Sequence, residues 1–159
     1  MSATNILVVD DDISVCRMLH VMLSGEQYNV LTIHSVAEAI EAMAEKHFDL
    51  YIIDYTLPDG SGLDLAQEIR SKSKTVPIII VSGCDCSGVA LRAEKFQISE
   101  IIEKPFARST ICQAVDKAME RTTALLPHST DHEDRDIARE CTEAAIQIRH
   151  PQPSLAPEF

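Results

Sequence analysis

The sequence predicts a doubly wound α/β fold, one five-stranded parallel sheet with helices on both faces. Three observations carry this. Short apolar runs alternate five times with amphipathic stretches, the composition suits a single globular domain, and the polar residues that interrupt the pattern fall just after the apolar runs. The chain has 159 residues, 45% hydrophobic and 25% charged, which is enough to bury a core and too few for two full domains. Its 25 acidic side chains outnumber the 14 basic ones, for a net charge of −11. Direct nucleic-acid binding is therefore not expected, because phosphate backbones are gripped by clustered Lys and Arg. No apolar run approaches the roughly 18–20 residues that span a bilayer, so no membrane segment is expected. Met1-Ser2-Ala3-Thr4-Asn5 lacks the basic start of a signal peptide, and the five cysteines are irregularly spaced. They read as reduced thiols of a cytoplasmic protein.

The elements follow in order. Ile6-Leu7-Val8-Val9, Val30-Leu31-Thr32-Ile33, Leu50-Tyr51-Ile52-Ile53, Ile78-Ile79-Ile80-Val81 and the weaker Glu100-Ile101-Ile102 read as buried parallel strands. Helical periodicity appears between them at Ser14 to Leu23, Val36 to Lys46, Leu63 to Ser71 and, more faintly, Cys86 to Lys95. A fifth helix is expected from Arg108 to Thr122, with Ile111, Ala114, Val115 and Ala118 on one stripe. Strand and helix alternating in this way form a parallel sheet covered on both faces, and right-handed crossovers leave few topologies. The flavodoxin-like strand order 2-1-3-4-5 is the commonest five-stranded solution. Beyond Leu126 the composition changes: residues 127–159 hold four of the seven prolines, no glycine and one aromatic, Phe159. A folded domain at 1–126 and an acidic, Pro-containing tail or linker at 127–159 are expected. One helical stretch in that tail, Arg135 to Arg149, carries Ile137, Ala138, Cys141, Ala144, Ala145 and Ile148 on one face.

Chemistry is expected at the strand ends, because ligands of an open α/β sheet sit beyond the carboxyl ends where the strand order reverses. The first strand runs into Asp10-Asp11-Asp12 and the third into Asp54. With strands 1 and 3 as neighbours, Asp10, Asp11 and Asp54 converge. Two carboxylates about 4 Å apart repel by roughly 4 kcal/mol at an effective dielectric of 20, so the cluster calls for a proton, a cationic neighbour or a metal. An all-oxygen ligand set suits Mg²⁺ or Mn²⁺ and not Zn²⁺. The fourth strand adds Ser82 with Gly83 after it, and the fifth leads to Lys104-Pro105. Carboxylates, a divalent ion, a hydroxyl and a lysine together suit phosphoryl transfer, with a carboxylate as nucleophile. Each residue alone has an ordinary explanation, and Asp12 in particular reads as the N-cap of the first helix. Their joint placement at successive strand ends is what argues for a site.

These residues resemble the receiver domain of bacterial two-component response regulators, the CheY-like fold. The resemblance runs from about Asn5 to Arg121. It rests on Ile6-Leu7-Val8-Val9-Asp10-Asp11, Asp54-Tyr55-Thr56-Leu57-Pro58-Asp59-Gly60-Ser61-Gly62, Ile80-Val81-Ser82-Gly83 and Lys104-Pro105-Phe106, with 43 residues from Asp11 to Asp54 and 22 from Ser82 to Lys104. It implies that Asp54 is the phosphoacceptor, taking a phosphoryl group from a sensor histidine kinase or phosphotransfer protein. Asp11, Asp54 and the backbone carbonyl of Thr56 are implied as direct Mg²⁺ ligands, and Asp10 as a ligand through water. Ser82 resembles the switch hydroxyl and Lys104 the lysine that pairs with phosphoryl oxygens, with a cis Lys104-Pro105 bond. Pro58 and Gly62 would shape the turn after the acceptor, Gly62 by adopting backbone angles that larger residues resist. Gly83 would keep space open for the donor histidine. Thr56 and Cys84 would flank the path of a hydrolytic water. The fourth helix, fifth strand and fifth helix would form the signalling surface, and a phosphorylation-dependent dimer could use it. Two positions depart from the family pattern. Ile101 stands where Tyr or Phe is usual, and Gln97-Ile98 replace a Gly-Ala pair.

The alternative is enzymatic, a small α/β phosphatase or phosphotransferase that turns over on an Asp54 nucleophile. Thr56 stands where such enzymes keep a second Asp, and the chain has no room for a cap domain. A flavin or nucleotide carrier is disfavoured by the acidic first loop and the lack of a Gly-rich loop. Cys84-Asp85-Cys86 has no partners at zinc-ligand spacing, Cys16 and Cys112 read as helix packing, and Met18, Met22 and Met43 as core fill. The six histidines show no ligand pairing. No effector motif identifies an output domain or partner.

Overall fold

The computed structural model describes residues 3–25, 27–83 and 87–125, which fall within one compact unit, Met1–Leu126. The tail expected at 127–159, its helical stretch and the Cys84-Asp85-Cys86 loop lie outside the described residues. The elements are β1 (Thr4–Val9), α1 (Ile13–Leu23), β2 (Tyr28–Ile33), α2 (Val36–Glu45), β3 (Leu50–Asp54), β4 (Thr56–Leu57), β5 (Gly60–Ser61), α3 (Gly62–Lys72), β6 (Ile78–Ser82), α4 (Ser87–Lys95), β7 (Glu100–Glu103) and α5 (Arg108–Leu125). The main sheet is parallel with order β2-β1-β3-β6-β7. This is the 2-1-3-4-5 order read from the sequence, with β6 and β7 as the fourth and fifth strands. Among the described residues no helix is long and apolar enough to cross a membrane.

Side-chain alternation along each strand divides the core between the two faces. Leu7, Val9, Tyr51, Ile53, Ile78 and Ile80 pack with Ala39 of α2, Leu63, Leu65, Ala66 and Ile69 of α3, and Val89 of α4. Ile6, Val8, Leu50, Ile52, Ile79 and Val81 pack with Cys16, Leu19 and Leu23 of α1 and with Ile111, Ala114, Val115 and Ala118 of α5. Full burial of such a side chain stabilises the fold by roughly 1.5–3 kcal/mol. The strands β3 and β6 are buried at every residue because they have a neighbour on each side and a helix layer on each face.

Three expectations are corrected. The second strand is not a fully buried one: β2 lies at the edge of the sheet, so its side chains are only partly covered and Leu31 is 40% exposed. Met18 is not core fill, since it points off the outer side of α1 and is exposed, whereas Met22 and Met43 pack at the margins of the two cores. The stretch after Asp54 is also more than a turn: β4 and β5 pair as a small antiparallel hairpin, Thr56 opposite Ser61 and Leu57 opposite Gly60. Pro58 and Asp59 form its tip. Cys16 is buried as expected of a packing residue, and Cys112 is half-buried.

Candidate functional site

Strand register decides which polar residues meet. Ile6 to Val9 pair with Leu50 to Ile53, so Asp10 and Asp54 follow at adjacent strand ends. Asp54 lies opposite Val81, placing Ser82 one residue further along β6. Ser82 lies opposite Glu103 of β7, and the Lys104 N–H donates to the Ser82 carbonyl at 2.7 Å. Asp10, Asp11, Asp54, Ser82 and Lys104 thus share one edge of the sheet. Thr56 follows at the start of the hairpin, its N–H donating to Asp54 Oδ1 at 3.4 Å. The Lys104-Pro105 peptide is cis.

The side chains form a compact charge cluster. Carboxylate oxygens of Asp10, Asp11 and Asp54 lie within 4.8 Å of one another. Lys104 Nζ sits 2.7 Å from Asp10 Oδ2 and 3.2 Å from Asp54 Oδ2. Asp10 is 2% exposed, Asp54 8% and Ser82 fully buried, while Asp11 faces solvent. Burial, then the charge of Asp10, pushes the Asp54 carboxyl above its ordinary pKa, against the opposing pull of Lys104. Burial acts to lower the Lys104 ammonium, but its hydrogen bond to Asp10 and the charges of Asp10 and Asp54 outweigh it, so the net shift is upward. The ion pair with Lys104 thus favours the charged form of Asp54, and burial opposes it. Three carboxylates against one ammonium leave two negative charges in the cluster, which one divalent cation would neutralise. The donors are all oxygen and close enough for one ion to span, so the residues present fit a hard cation such as Mg²⁺.

The surrounding loops fix this geometry. Asp12 accepts from Ser14 N at 2.8 Å and Val15 N at 3.4 Å, capping α1 as expected. Asp10 Oδ1 accepts from Asp12 N at 2.8 Å. After Asp54, the hairpin returns the chain to α3, where Ser61 and Asp64 form a capping box. Gly62 has no positive φ, so conformational freedom is not its role. A Cβ there would lie 2.3 Å from the Asp54 carbonyl oxygen and 3.1 Å from Ile53 Cγ2. Close approach of α3 to β3 is what excludes a larger residue. A Cβ on Gly83 would meet nothing within 4 Å, in keeping with open space at that end of β6. Ile101, at the usual aromatic position, is half-buried against the α2–α3–α4 face of the core.

Two residues escaped the reading of the sequence as site components. His34, set aside with the other histidines, ends 2.9 Å from the Asp10 carbonyl through Nδ1. Asp59, read only as part of a motif, accepts from Val36 N at 2.8 Å and Ala37 N at 2.9 Å. Those backbone hydrogen bonds hold its carboxyl below the ordinary pKa. Neither contact has a sequence signal, because both span loops that meet only in the fold.

Known proteins share this arrangement of elements. The family model described as the response regulator receiver domain matches residues 6–116. The transcriptional regulatory protein ZraR of Escherichia coli (strain K12) is 32% identical over 129 residues, covering 81% of this chain and 28% of that protein. The chain thus spans little more than a quarter of the length of that relative. Among solved structures, the non-phosphorylated HemR receiver domain from Leptospira biflexa is 29% identical with a TM-score of 0.68, covering 73% of this chain and 94% of that one. A response regulator receiver domain protein from Clostridium thermocellum is 27% identical with a TM-score of 0.72, covering 77% and 99%.

Proposed function

The chain belongs to the response regulator receiver domain family, and from that membership we propose that it is the Mg²⁺-dependent phosphoacceptor of a cytoplasmic two-component pathway, phosphorylated on Asp54. The observation that carries this reading is the cluster itself. Asp54 ends β3 almost buried, with Lys104 Nζ at 3.2 Å and two further carboxylates within reach of a single ion.

In this reading Asp54 Oδ attacks the phosphorus of a phosphohistidine on a sensor kinase or phosphotransfer protein. The N–P bond breaks and its electron pair returns to the imidazole nitrogen. Asp11, Asp54 and the Thr56 carbonyl would hold Mg²⁺ (or Mn²⁺), with Asp10 acting through water. When bound, the ion supplies positive charge to the phosphoryl oxygens and relieves the repulsion among the carboxylates. Lys104, which contacts both Asp10 and Asp54, would pair with a phosphoryl oxygen. Ser82 offers a hydroxyl from the end of β6, and a hydrogen bond to the phosphoryl group would bias the backbone that leads into α4. Hydrolysis by water attack on phosphorus restores the carboxylate. Output would pass through the α4–β7–α5 face to a partner, to a second copy or to an output domain. The relative ZraR is named a transcriptional regulatory protein, and an output of that kind would lie outside this chain.

Incubation with acetyl phosphate and Mg²⁺, followed by intact-mass measurement, tests the acceptor. Wild type should gain the mass of one phosphoryl group, and Asp54→Asn or removal of Mg²⁺ with a chelator should abolish the gain. Labelling of the Asp54→Asn variant would move the acceptor elsewhere.

A further inference from the structure

The loop between β2 and α2 touches both segments that carry the metal-holding groups. On one side, His34 Nδ1 lies 2.9 Å from the Asp10 carbonyl. A carbonyl only accepts, so Nδ1 carries the proton and donates. That carbonyl belongs to the peptide linking Asp10 to Asp11, and Cys16 Sγ donates to it as well, at 3.2 Å. On the other side, the Asp59 carboxylate at the hairpin tip accepts from the first two N–H groups of α2, Val36 and Ala37. Gly60 abuts the same helix end, where a Cβ would meet Val36 Cγ2 at 3.4 Å.

The junction is itself rigid. Ser35 caps α2 by accepting from Glu38 N at 3.2 Å. Glu38 Oε2 reaches back to accept from the His34 backbone N–H at 3.0 Å. The leading N–H groups of α2 are thus all paired, those of Val36 and Ala37 to a residue 22 or 23 positions away in sequence. This exceeds what an isolated helix needs for a cap, since Ser35 already supplies one.

We propose that residues His34 to Ala37 form a brace that sets the spacing between the Asp10-Asp11 peptide and the Thr56 carbonyl, with His34 and Asp59 as positioning residues for the divalent ion. The inference rests on the receiver reading above. A hard cation needs its ligands preplaced, and outer partners that hold ligands in position commonly contribute tenfold or more to affinity. The brace also makes α2 sense the ion: if the junction favours the bound arrangement, the bound ion stabilises the junction by the same factor.

The test uses the complete chain labelled with ¹⁵N, titrated with MgCl₂ and followed by amide shifts around Asp54. His34→Ala and Asp59→Ala should each weaken Mg²⁺ binding about tenfold. His34→Asn should recover most of the loss, because its amide donates from nearly the position of Nδ1. Asp59→Asn keeps one acceptor and should fall between. Amide exchange at Val36 and Ala37 should slow on adding Mg²⁺ to wild type and not to Asp59→Asn, a response that a purely structural cap would not give. If an alanine variant fails to fold, the asparagine variants and the exchange measurement decide. Mg²⁺ affinities within twofold of wild type in folded variants, or no rescue by His34→Asn, overturn the brace while wild type still takes up phosphoryl from acetyl phosphate. Absence of any Mg²⁺ response in wild type would overturn the receiver reading beneath it as well.

Discussion

Asp54 occupies surroundings that favour its neutral form, since burial and the nearby charge of Asp10 together outweigh the attraction of Lys104. A carboxyl whose folded pKa is raised binds more protons in the native state than in the unfolded one. Stability therefore falls as pH rises from the unfolded value, about 4, through the raised folded value, and is level above it. Asp54→Asn removes that slope. At neutral pH without divalent ions it should raise stability, read as an increase of a few degrees in Tm. Thermal melts of both proteins across pH 4–8 check this, and an unchanged or lower Tm for the variant at neutral pH contradicts it. The acidic residues, Ser82 and Lys104 were legible in the sequence because each lies within two residues of the end of an apolar run. Gly62 was legible as a special position, but for the wrong reason. Its constraint is the Asp54 carbonyl oxygen, which would lie 2.3 Å from an added Cβ, a closeness set by how α3 packs and not by local backbone preference.

At the level of elements, the end of α4 has an unusual composition. Gln97 adopts a φ of 51°, the left-handed position where helices commonly place glycine. Ile98 N–H returns to Ala93 O and Gln97 N–H to Glu94 O, completing a Schellman motif. Arg70 of α3 reinforces it, donating from Nε to Phe96 O at 2.8 Å and from Nη2 to Gln97 O at 2.9 Å, and also to Val76 O at 2.7 Å. The departure from Gly-Ala noticed in the sequence therefore leaves the helix terminus geometrically ordinary. An arginine clamp holds a glutamine in a conformation that disfavours its Cβ. Gln97→Gly should raise stability by about 0.5–1 kcal/mol, read as an increase of a few degrees in Tm. A decrease would mean that the glutamine side chain contributes more than its backbone strain costs. The β4–β5 hairpin and the edge exposure of β2 were not legible for a related reason. Two-residue strands have no periodicity, and although the predicted order puts the second strand at an edge, its apolar run carries no measure of how far its side chains are covered.

For the whole molecule, the parallel sheet links the cluster to a distant face. Lys104 directly follows β7, Ser82 ends β6, and the two are joined by the hydrogen bond between their backbones. A phosphoryl group that draws on both side chains would act on β7 and on the start of α4 together. With BeF₃⁻ and Mg²⁺ as a phosphoryl mimic, amide exchange in α4, β7 and α5 should slow, while the α1 face responds less. Unchanged exchange there would separate phosphorylation from this surface. The sequence by itself determined the fold class, the number and order of the main sheet's strands, and the identity of the acidic cluster. Those follow from apolar periodicity and from the rule that sites gather at carboxyl strand ends, both of which are written locally along the chain. Tertiary structure alone decided how far the side chains of β2 stay uncovered, why Gly62 tolerates no side chain, and that His34 meets the Asp10 carbonyl while Asp59 meets the start of α2. Each of these depends on groups far apart in sequence coming within a few ångströms, and linear spacing carries no record of such distances.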